Sequence, residues 1–204
     1  IALAGTIALV TAHTEGLLII DVSTPSAPVL LGTYDTLDSA RDIAVSGTTA
    51  FLLTHRMLEL LDVGDPTTPI ALGSIETDDG YALSINATTV YVADGRWGLK
   101  IIDASDPTLP ALLGSYDTPG DARDVAHSGT TVYVGNDNPG LLVFDVQDPA
   151  EPVLLGSYDT PESSQAVMVV GDTAYVACRD TGVHILDVTD PTSPTLRGSY
   201  NTAQ

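Results

Sequence analysis

The chain has 204 residues, 44% of them apolar, enough to bury a substantial core and too apolar for a disordered chain. Its 27 acidic residues against 7 basic ones leave a net charge of −20, which argues against nucleic acid and against anionic membrane surfaces as partners. No apolar run reaches the roughly 18 residues that span a bilayer.

Such acidity fits solubility in a secreted or high-salt setting, with a cation-binding face as the alternative. Cys178 is the single cysteine and follows the apolar run AYVAC, so a buried, inert thiol is expected. Ile1 falls in the middle of a repeating unit and no signal-peptide pattern precedes it, so a mature or trimmed form is expected.

One unit recurs along the whole chain. It reads GLLIIDVSTPSAPVLLGTYDT from Gly16, MLELLDVGDPTTPIALGSIET from Met57 and GLKIIDASDPTLPALLGSYDT from Gly98. It returns as GLLVFDVQDPAEPVLLGSYDT from Gly140 and GVHILDVTDPTSPTLRGSYNT from Gly182. Its glycines Gly32, Gly73, Gly114, Gly156 and Gly198 set periods of 41, 41, 42 and 42 residues, the mark of a repeat architecture. The repeats run approximately over 1–36, 37–77, 78–118, 119–160 and 161–202, within a single domain spanning 1–204.

In the fourth copy four strands are predicted: 121–129, then 130–134 after a Ser-Gly turn, then 141–146, and 152–160 after an Asp-Pro turn. Runs such as LLVFD are apolar on both faces, so each small sheet needs cover on both sides. Four-stranded sheets stacked face to face at this period give an all-β fold, a β-propeller with four-stranded blades. Ile1 aligns with Ile43, Val125 and Val167, and Gln204 with Asp38. Five copies of the second, third and fourth strands therefore point to a five-bladed ring, with a fragment of a larger ring as the alternative. In the ring reading the fifth blade packs directly on the first, the first strand of each blade is innermost, and Ala44, Ser84 and Ala126 line a narrow channel.

The motif GLLIIDVSTP, followed by P-x-LLG-S/T-YDT, ARDVAHSG and TTVYVAD, resembles the LVIVD repeat of bacterial and archaeal cell-surface proteins, which is similar to YVTN-type propellers. The resemblance covers essentially the whole chain. It implies the propeller fold and an extracellular or cell-surface location, and it carries no catalytic residues. The chain departs from the pattern at Met57, at Ile75, and at Gly80-Tyr81-Ala82, where other copies read Ala-Arg-Asp.

Several residues invite chemistry. Asp21, Asp62, Asp103, Asp145 and Asp187 precede Asp65, Asp106, Asp148 and Asp190 by three residues where both are present, a spacing that suggests calcium; turn formation explains the repetition better. Asn136-Asp137-Asn138 lacks the ligand spacing of a calcium loop. His13 and His55 occupy equivalent positions with no third zinc ligand in sight. His127 is expected to be partly buried with a backbone partner, and His184 to be exposed at an edge. No nucleophile elbow, P-loop or dinucleotide fingerprint occurs, so no catalytic residue, metal or cofactor is expected. Asn86-Ala87-Thr88 matches the glycosylation acceptor pattern in an exposed turn.

The leading reading is a non-enzymatic interaction module, displayed outside the cell or at its surface, or else within a larger surface assembly. It would take a protein or glycan partner on one face, without nucleic acid and without membrane insertion. The alternative is an enzyme or small-ligand propeller with a site at the channel mouth, built from Arg41-Asp42, Arg123-Asp124 and Gln165. Arg-Asp pairs locked between blades would favour the module. The aspartate turns define a bottom face expected to carry no Lys or Arg, opposite a top face holding Arg41, Arg56, Arg96, Arg123 and Arg179. Departures between copies mark individual function, and they gather at three top-face loops. These are His55-Arg56-Met57, one residue short; Glu76 to Ala82, also one short and bearing Tyr81; and Arg96-Trp97, with the sole tryptophan. Partner-binding residues are therefore expected at His55, Arg56, Tyr81, Arg96 and Trp97, unless Trp97 only folds over its own blade edge.

Overall fold

The computed structural model describes residues 1–202. Five antiparallel sheets, each a four-stranded meander, account for all the regular structure among these residues. The first blade holds β1 (Ala2–Ala4), β2 (Ile7–Thr11), β3 (Leu17–Asp21) and β4 (Val29–Tyr34). The second holds β5 (Ala40–Ser46), β6 (Thr49–Thr54), β7 (Met57–Asp62) and β8 (Ile70–Glu76). The third is β9 (Ala82–Asn86), β10 (Thr89–Ala93), β11 (Leu99–Asp103) and β12 (Ala111–Tyr116). The fourth is β13 (Ala122–Ser128), β14 (Thr131–Asn136), β15 (Gly140–Asp145) and β16 (Val153–Asp159). The fifth is β17 (Ser164–Val170), β18 (Thr173–Cys178), β19 (Gly182–Asp187) and β20 (Thr195–Tyr200).

Consecutive blades touch through their first strands, with β5 against β9, β9 against β13 and β13 against β17, which makes these strands the inner edge of the stack. The fourth strands are outermost and largely exposed. Between them the second and third strands are buried on both faces, as their unbroken apolar runs require. Four apolar cores result, each shared by two neighbouring blades. Leu9, Leu17 and Ile19 of the first blade meet Leu52 and Leu61 of the second. Phe51, Leu58 and Leu60 meet Val90, Val92 and Ile102, and Tyr91, Leu99 and Ile101 meet Val132, Val134 and Phe144. Tyr133, Leu141 and Val143 meet Val176, Leu186 and Val188.

The repeated aspartates are turn devices. Asp21, Asp62, Asp103, Asp145 and Asp187 each accept the backbone N–H two residues on, at 2.8–3.0 Å. Asp65, Asp106, Asp148 and Asp190 do the same for the next turn. The turn that follows in one blade is pressed onto the motif glycine of the blade before. A Cβ on Gly32 would lie 2.4 Å from the Pro66 carbonyl, and Gly73, Gly114 and Gly156 face Pro107, Pro149 and Pro191 in the same way. Close backbone approach, and not a special φ, is what the glycine serves.

The two ends of the stack differ from the interior. No hydrogen-bonded strand pair and no apolar core links the fifth blade to the first among the described residues. Tyr175 is 36% exposed where its counterpart Tyr133 is 4% exposed, and Met168 is 57% exposed. On the first blade Leu3 is 64% exposed, and Val10, Leu18 and Ile20 are partly exposed where the equivalent interior positions are largely covered. Five blades are present as expected, whereas the expected packing of the last blade on the first is not seen among the described residues, whose two end faces are open. The expected channel lining also differs. Ala44 and Ala126 pack into the cores toward the next blade, and Ser84 bonds His127 of the next blade, because strand side chains stand perpendicular to the sheet and so face neighbouring blades.

Candidate functional site

On the top face, a groove of about 860 Å³ runs between the second and third blades. One wall is His55, Arg56 and Met57 from the β6–β7 turn, and the other is Arg96 and Trp97 from the β10–β11 turn. Its floor and ends are Glu76 to Asp79, from the connection between the two blades, with Leu37 and Asp38 from the connection before. Four of the five residues expected to bind a partner thus come together: His55, Arg56, Arg96 and Trp97.

The groove is built from fixed parts. The Arg96-Trp97 turn is closed by bonds from Trp97 N to the Asp94 carbonyl and from Asp94 N to the Gly98 carbonyl, at 3.0 and 2.7 Å. Gly95 has φ 55° and joins Ala122 of the next blade through a pair of backbone bonds. The floor is pinned by Asp94, whose fully buried carboxylate accepts from Asp78 N and Asp79 N at 2.8–3.1 Å and from Lys100 Nζ at 2.7 Å. Lys100 also reaches Asp78, and this pair of carboxylates holds its pKa up although burial opposes the charge. Asp94 is not among the residues expected from the sequence; the other copies carry Ala12, Thr54, Asn136 and Cys178 at its place, and that departure is the signal that could have found it.

Electrostatics sorts the groove residues. Asp79 is occupied by Arg41 at 3.1 Å and by His55 Nε2 at 3.0 Å, and Asp38 lies 3.6 Å from the other His55 nitrogen. Those carboxylates come from connections that the sequence spacing of the histidines does not reveal. Arg56 and Arg96 make no side-chain hydrogen bond or ion pair among the described residues, although the chain carries a net charge of −20. Trp97 stands 47% exposed on the wall. The arrangement offers two unpaired guanidiniums and a flat aromatic face over a floor whose other charges are mostly committed.

Tyr81 is elsewhere, and its place corrects the expectation that it shares the patch. Its ring is held between the guanidiniums of Arg41 and Arg123, 4.6 and 4.7 Å from the ring centroid. Arg41, Arg123 and Gln165 are the extra residues of bulges at the start of β5, β13 and β17, which turn them out of the strand register toward the mouth. The adjacent aspartates do not pair with these arginines. Asp42 accepts Leu83 N at 2.9 Å and Asp124 accepts Val167 N at 2.7 Å, each reaching the first strand of the next blade. Each carboxylate also accepts the N–H of the residue after it, Ile43 or Val125. Burial raises both carboxyl pKa values, and Asp124 is pushed up to about 6. Arg123 instead holds Asp121 and Asp137, and Asp137 also takes Ser163 of the next blade. The pairs therefore lock blades together, by a different division of labour from a direct Arg-Asp bridge.

The remaining candidates resolve simply. His127 is partly buried, but its partner is the Ser84 hydroxyl at 2.7 Å and not the backbone. His184 is 6% exposed, against the expected edge position, because this side of the third strand faces the preceding blade, where Glu59 likewise receives a bond from Tyr34. His13 closes a turn at φ 57°, and its carbonyl accepts Ala40 N of the second blade. Cys178 is buried, which pushes its thiol pKa up. Asn86 is exposed at the start of the tight turn that Ala87 makes at φ 55°. Asn136 bonds the Asn138 carbonyl, and no group of three or more His, Cys, Asp or Glu side chains among the described residues could hold a metal ion. The bottom face does carry a base, since Arg197 pairs with Asp187 at 2.8 Å. Bonds from Thr189, with help from Arg197, hold that carboxyl down to about 2.

Five stacked four-stranded meanders define a protein built of β-propeller blades. The chain belongs to the LVIVD repeat family, which matches it five times, over residues 1–36, 38–77, 80–118, 119–160 and 162–202. Among solved structures it is similar to the computationally designed Ika8 protein, at 14% identity and a TM-score of 0.76, over 98% of this chain and 61% of that one. It is similar to a functionally unknown protein from Desulfotomaculum acetoxidans at 14% identity and a TM-score of 0.76, over 96% of this chain and 66% of that one. The designed Ika4 protein matches 74% of the chain, and 92% of its own, at 15% identity and a TM-score of 0.64. The chain thus spans about two thirds or less of the two larger structures. These likenesses concern the fold alone. No curated protein matches the sequence.

Proposed function

We propose that this chain is a non-enzymatic interaction module, displayed outside the cell or at its surface, that takes a protein or glycan partner in the top-face groove between the second and third blades. One observation carries the reading: the two unpaired arginines Arg56 and Arg96 and the exposed Trp97 share one groove in a strongly acidic chain. Exposed tryptophan and arginine are the residue types that dominate binding hot spots. A partner group suited to them combines a negative charge with a flat apolar face, such as an acidic sugar or an acidic side chain beside an aromatic one. The pinned floor favours binding, because a preformed site loses little entropy when filled. The carboxylates of the channel-mouth alternative, Asp42 and Asp124, are each engaged by two backbone N–H groups, which supports a structural part for them.

Trp97 is the only tryptophan, so its emission reports on the groove without labelling. Titration with a panel of acidic oligosaccharides and acidic peptides is expected to give a saturable change for at least one member. Trp97→Ala, read by calorimetry, should weaken that binding by about 10- to 100-fold, the effect of a hot-spot residue, while leaving the melting temperature nearly unchanged. A large loss of stability with binding intact would make Trp97 a structural cover and overturn the reading.

A further inference from the structure

Granted the binding site proposed above, we infer that its occupant is a peptide and not a glycan: a short segment in which acidic side chains stand beside aliphatic or aromatic ones.

Three apolar side chains line the groove from three separate segments. Trp97 stands exposed on the β10–β11 turn, Met57 is half-buried on the β6–β7 turn, and Leu37 is fully exposed on the connection from the first blade to the second. The connections into the fourth and fifth blades carry Pro119 and Pro161 in the place of Leu37, so the leucine is not something a blade requires. A lone exposed leucine is ordinary on any surface. Apolar side chains that share one groove with a charged rim mark a contact. Sugar hydroxyls set against leucine and methionine would give up bonds to water without replacement. The groove has few replacements to offer, since among the described residues no Asn, Gln, Ser or Tyr lines it and its Thr77 hydroxyl is buried out of reach. Aliphatic side chains of a peptide are what Leu37 and the adaptable thioether of Met57 can cover.

Charge sets the rest of the occupant. Of the four carboxylates in the groove, Asp78 is held by Lys100, Asp79 by Arg41 and His55, and Asp38 accepts the Ser39 N–H at 2.7 Å. Glu76 alone has no side-chain bond or ion pair among the described residues, against two such arginines, Arg56 and Arg96. One free carboxylate and two free guanidiniums leave the groove with uncommitted positive charge, so acidic side chains complement it and basic ones do not. Guanidiniums also bind carboxylates through paired bonds of fixed geometry. Size agrees with a short segment: about 860 Å³ falls near the top of the range of roughly 300–1,000 Å³ for small-ligand sites. That volume admits a few residues and not a globular face.

Panning a phage library of random heptapeptides on the immobilised full chain tests this, with a galacturonic acid hexamer as the glycan probe. The selected peptides are expected to carry Asp or Glu beside Leu, Ile, Phe or Trp. The best of them, made synthetically and measured by calorimetry, should bind at least about 10-fold more tightly than the hexamer. Leu37→Ser, at a fully exposed position that the fold does not need, should weaken the peptide by about 10-fold, what burial of one aliphatic side chain supplies. The same variant should leave the hexamer unchanged. Joint replacement of Arg56 and Arg96 by glutamine should cost the peptide about 100-fold, and should cost little once the peptide's own acids are made amides. Hexamer binding that Trp97→Ala abolishes, with no peptide selected, would overturn the peptide and keep the groove as a glycan site. Selected peptides that are basic, or that bind regardless of Leu37→Ser and Trp97→Ala, would overturn it too. If neither probe binds, the groove itself falls, and the peptide with it.

Discussion

Replacing Asp124 by asparagine isolates the pH response of a carboxylate lodged between two blades. Its carboxyl is pushed from 3.8 up to about 6, chiefly by burial, with the charge of Asp42 adding to it and the bonds from Val167 and Val125 opposing it. The folded state thus holds a proton that the unfolded chain releases between these two values. Stability from this group is complete below about pH 4 and is lost as pH rises through about 6, because the native state binds more protons in that window. At about 1.4 kcal/mol per unit, the loss amounts to about 3 kcal/mol once pH exceeds 6. The asparagine side chain has no such transition, but it keeps only one acceptor for two backbone donors and should cost about 1–3 kcal/mol at every pH. Urea unfolding of both proteins from pH 3.5 to 8 therefore gives curves that converge as pH rises. Asp124→Asn is expected to be clearly less stable at pH 4 and close to the parent, or above it, at pH 8. All other titrating groups except Asp42 cancel in the difference. A difference that stays constant to about 0.5 kcal/mol across the range, the scatter expected of a neutral substitution, would refute a raised Asp124 pKa.

Gly114→Ala puts a Cβ 2.4 Å from the Pro149 carbonyl and 2.8 Å from that of Ala150, both backbone atoms that cannot swing aside. Overpacking of this kind costs about 2 kcal/mol and should lower the melting temperature by about 4–8 °C, whereas Gly198→Ala, with nothing near it, should change the monomer by less than about 0.5 kcal/mol. Tyr81→Ala removes two cation–π contacts and should destabilise by about 1–2 kcal/mol in chemical denaturation. Tyr81→Phe keeps the ring face and should stay within about 0.5 kcal/mol of the parent; equal losses for both would show that the hydroxyl, and not the stacking, matters.

Blade structure was legible because its determinants are local and repeated. An Asp that caps its own turn, a Pro that fixes the next, and a doubly apolar strand each act within a few residues, so five copies average out the exceptions. The motif glycines were legible as markers, but their reason was not, since the Pro66 carbonyl that Gly32 meets comes from a different repeat. Closure was harder for a related reason. It depends on the sum of small rotations between blades, which packing of residues such as Phe144 and Leu61 sets and no single repeat encodes. In the candidate site, chain-length differences point to the loops that border the groove, because deleting a residue from a turn must move its neighbours. Tyr81 was misplaced because a one-residue shortening also removes the bulge that aims Arg41 and Arg123, leaving its ring between them. His184 misled because a position occupied by Leu18, Glu59, Lys100 and Leu142 in other copies reads as unconstrained. Glu59 instead takes a bond from Tyr34 of the preceding blade, Leu142 packs into the core shared with the third blade, and Lys100 bridges Asp94 and Asp78.

The same shortening explains why a groove exists at this junction. Where the other blades have a full turn, His55-Arg56-Met57 is cut back, and the connection from Glu76 to Ala82 is cut back beside it. Backbone that fills this space elsewhere is missing, and Trp97 stands over the gap from the third blade. Asp94 and Lys100 then hold the connection against the third blade, so the volume persists without a ligand. Charge adds selectivity under the proposed function. Over distances beyond about 10 Å, in moderate salt, the field of so acidic a chain is screened, and local groups decide what binds. A cationic partner would find carboxylates over the whole surface and gain little by entering the groove. An anionic group gains only where Arg56 and Arg96 stand free, so in this chain an unpaired arginine pair is worth more as a discriminator than as a source of affinity. Raising salt from about 10 to 150 mM should therefore speed association of an anionic ligand by screening the general repulsion, the reverse of ordinary electrostatic steering, and stopped-flow quenching of Trp97 would show it. A rate that falls with salt would mean that the arginines dominate the field at a distance and that the acidic surface plays no part in the choice of partner.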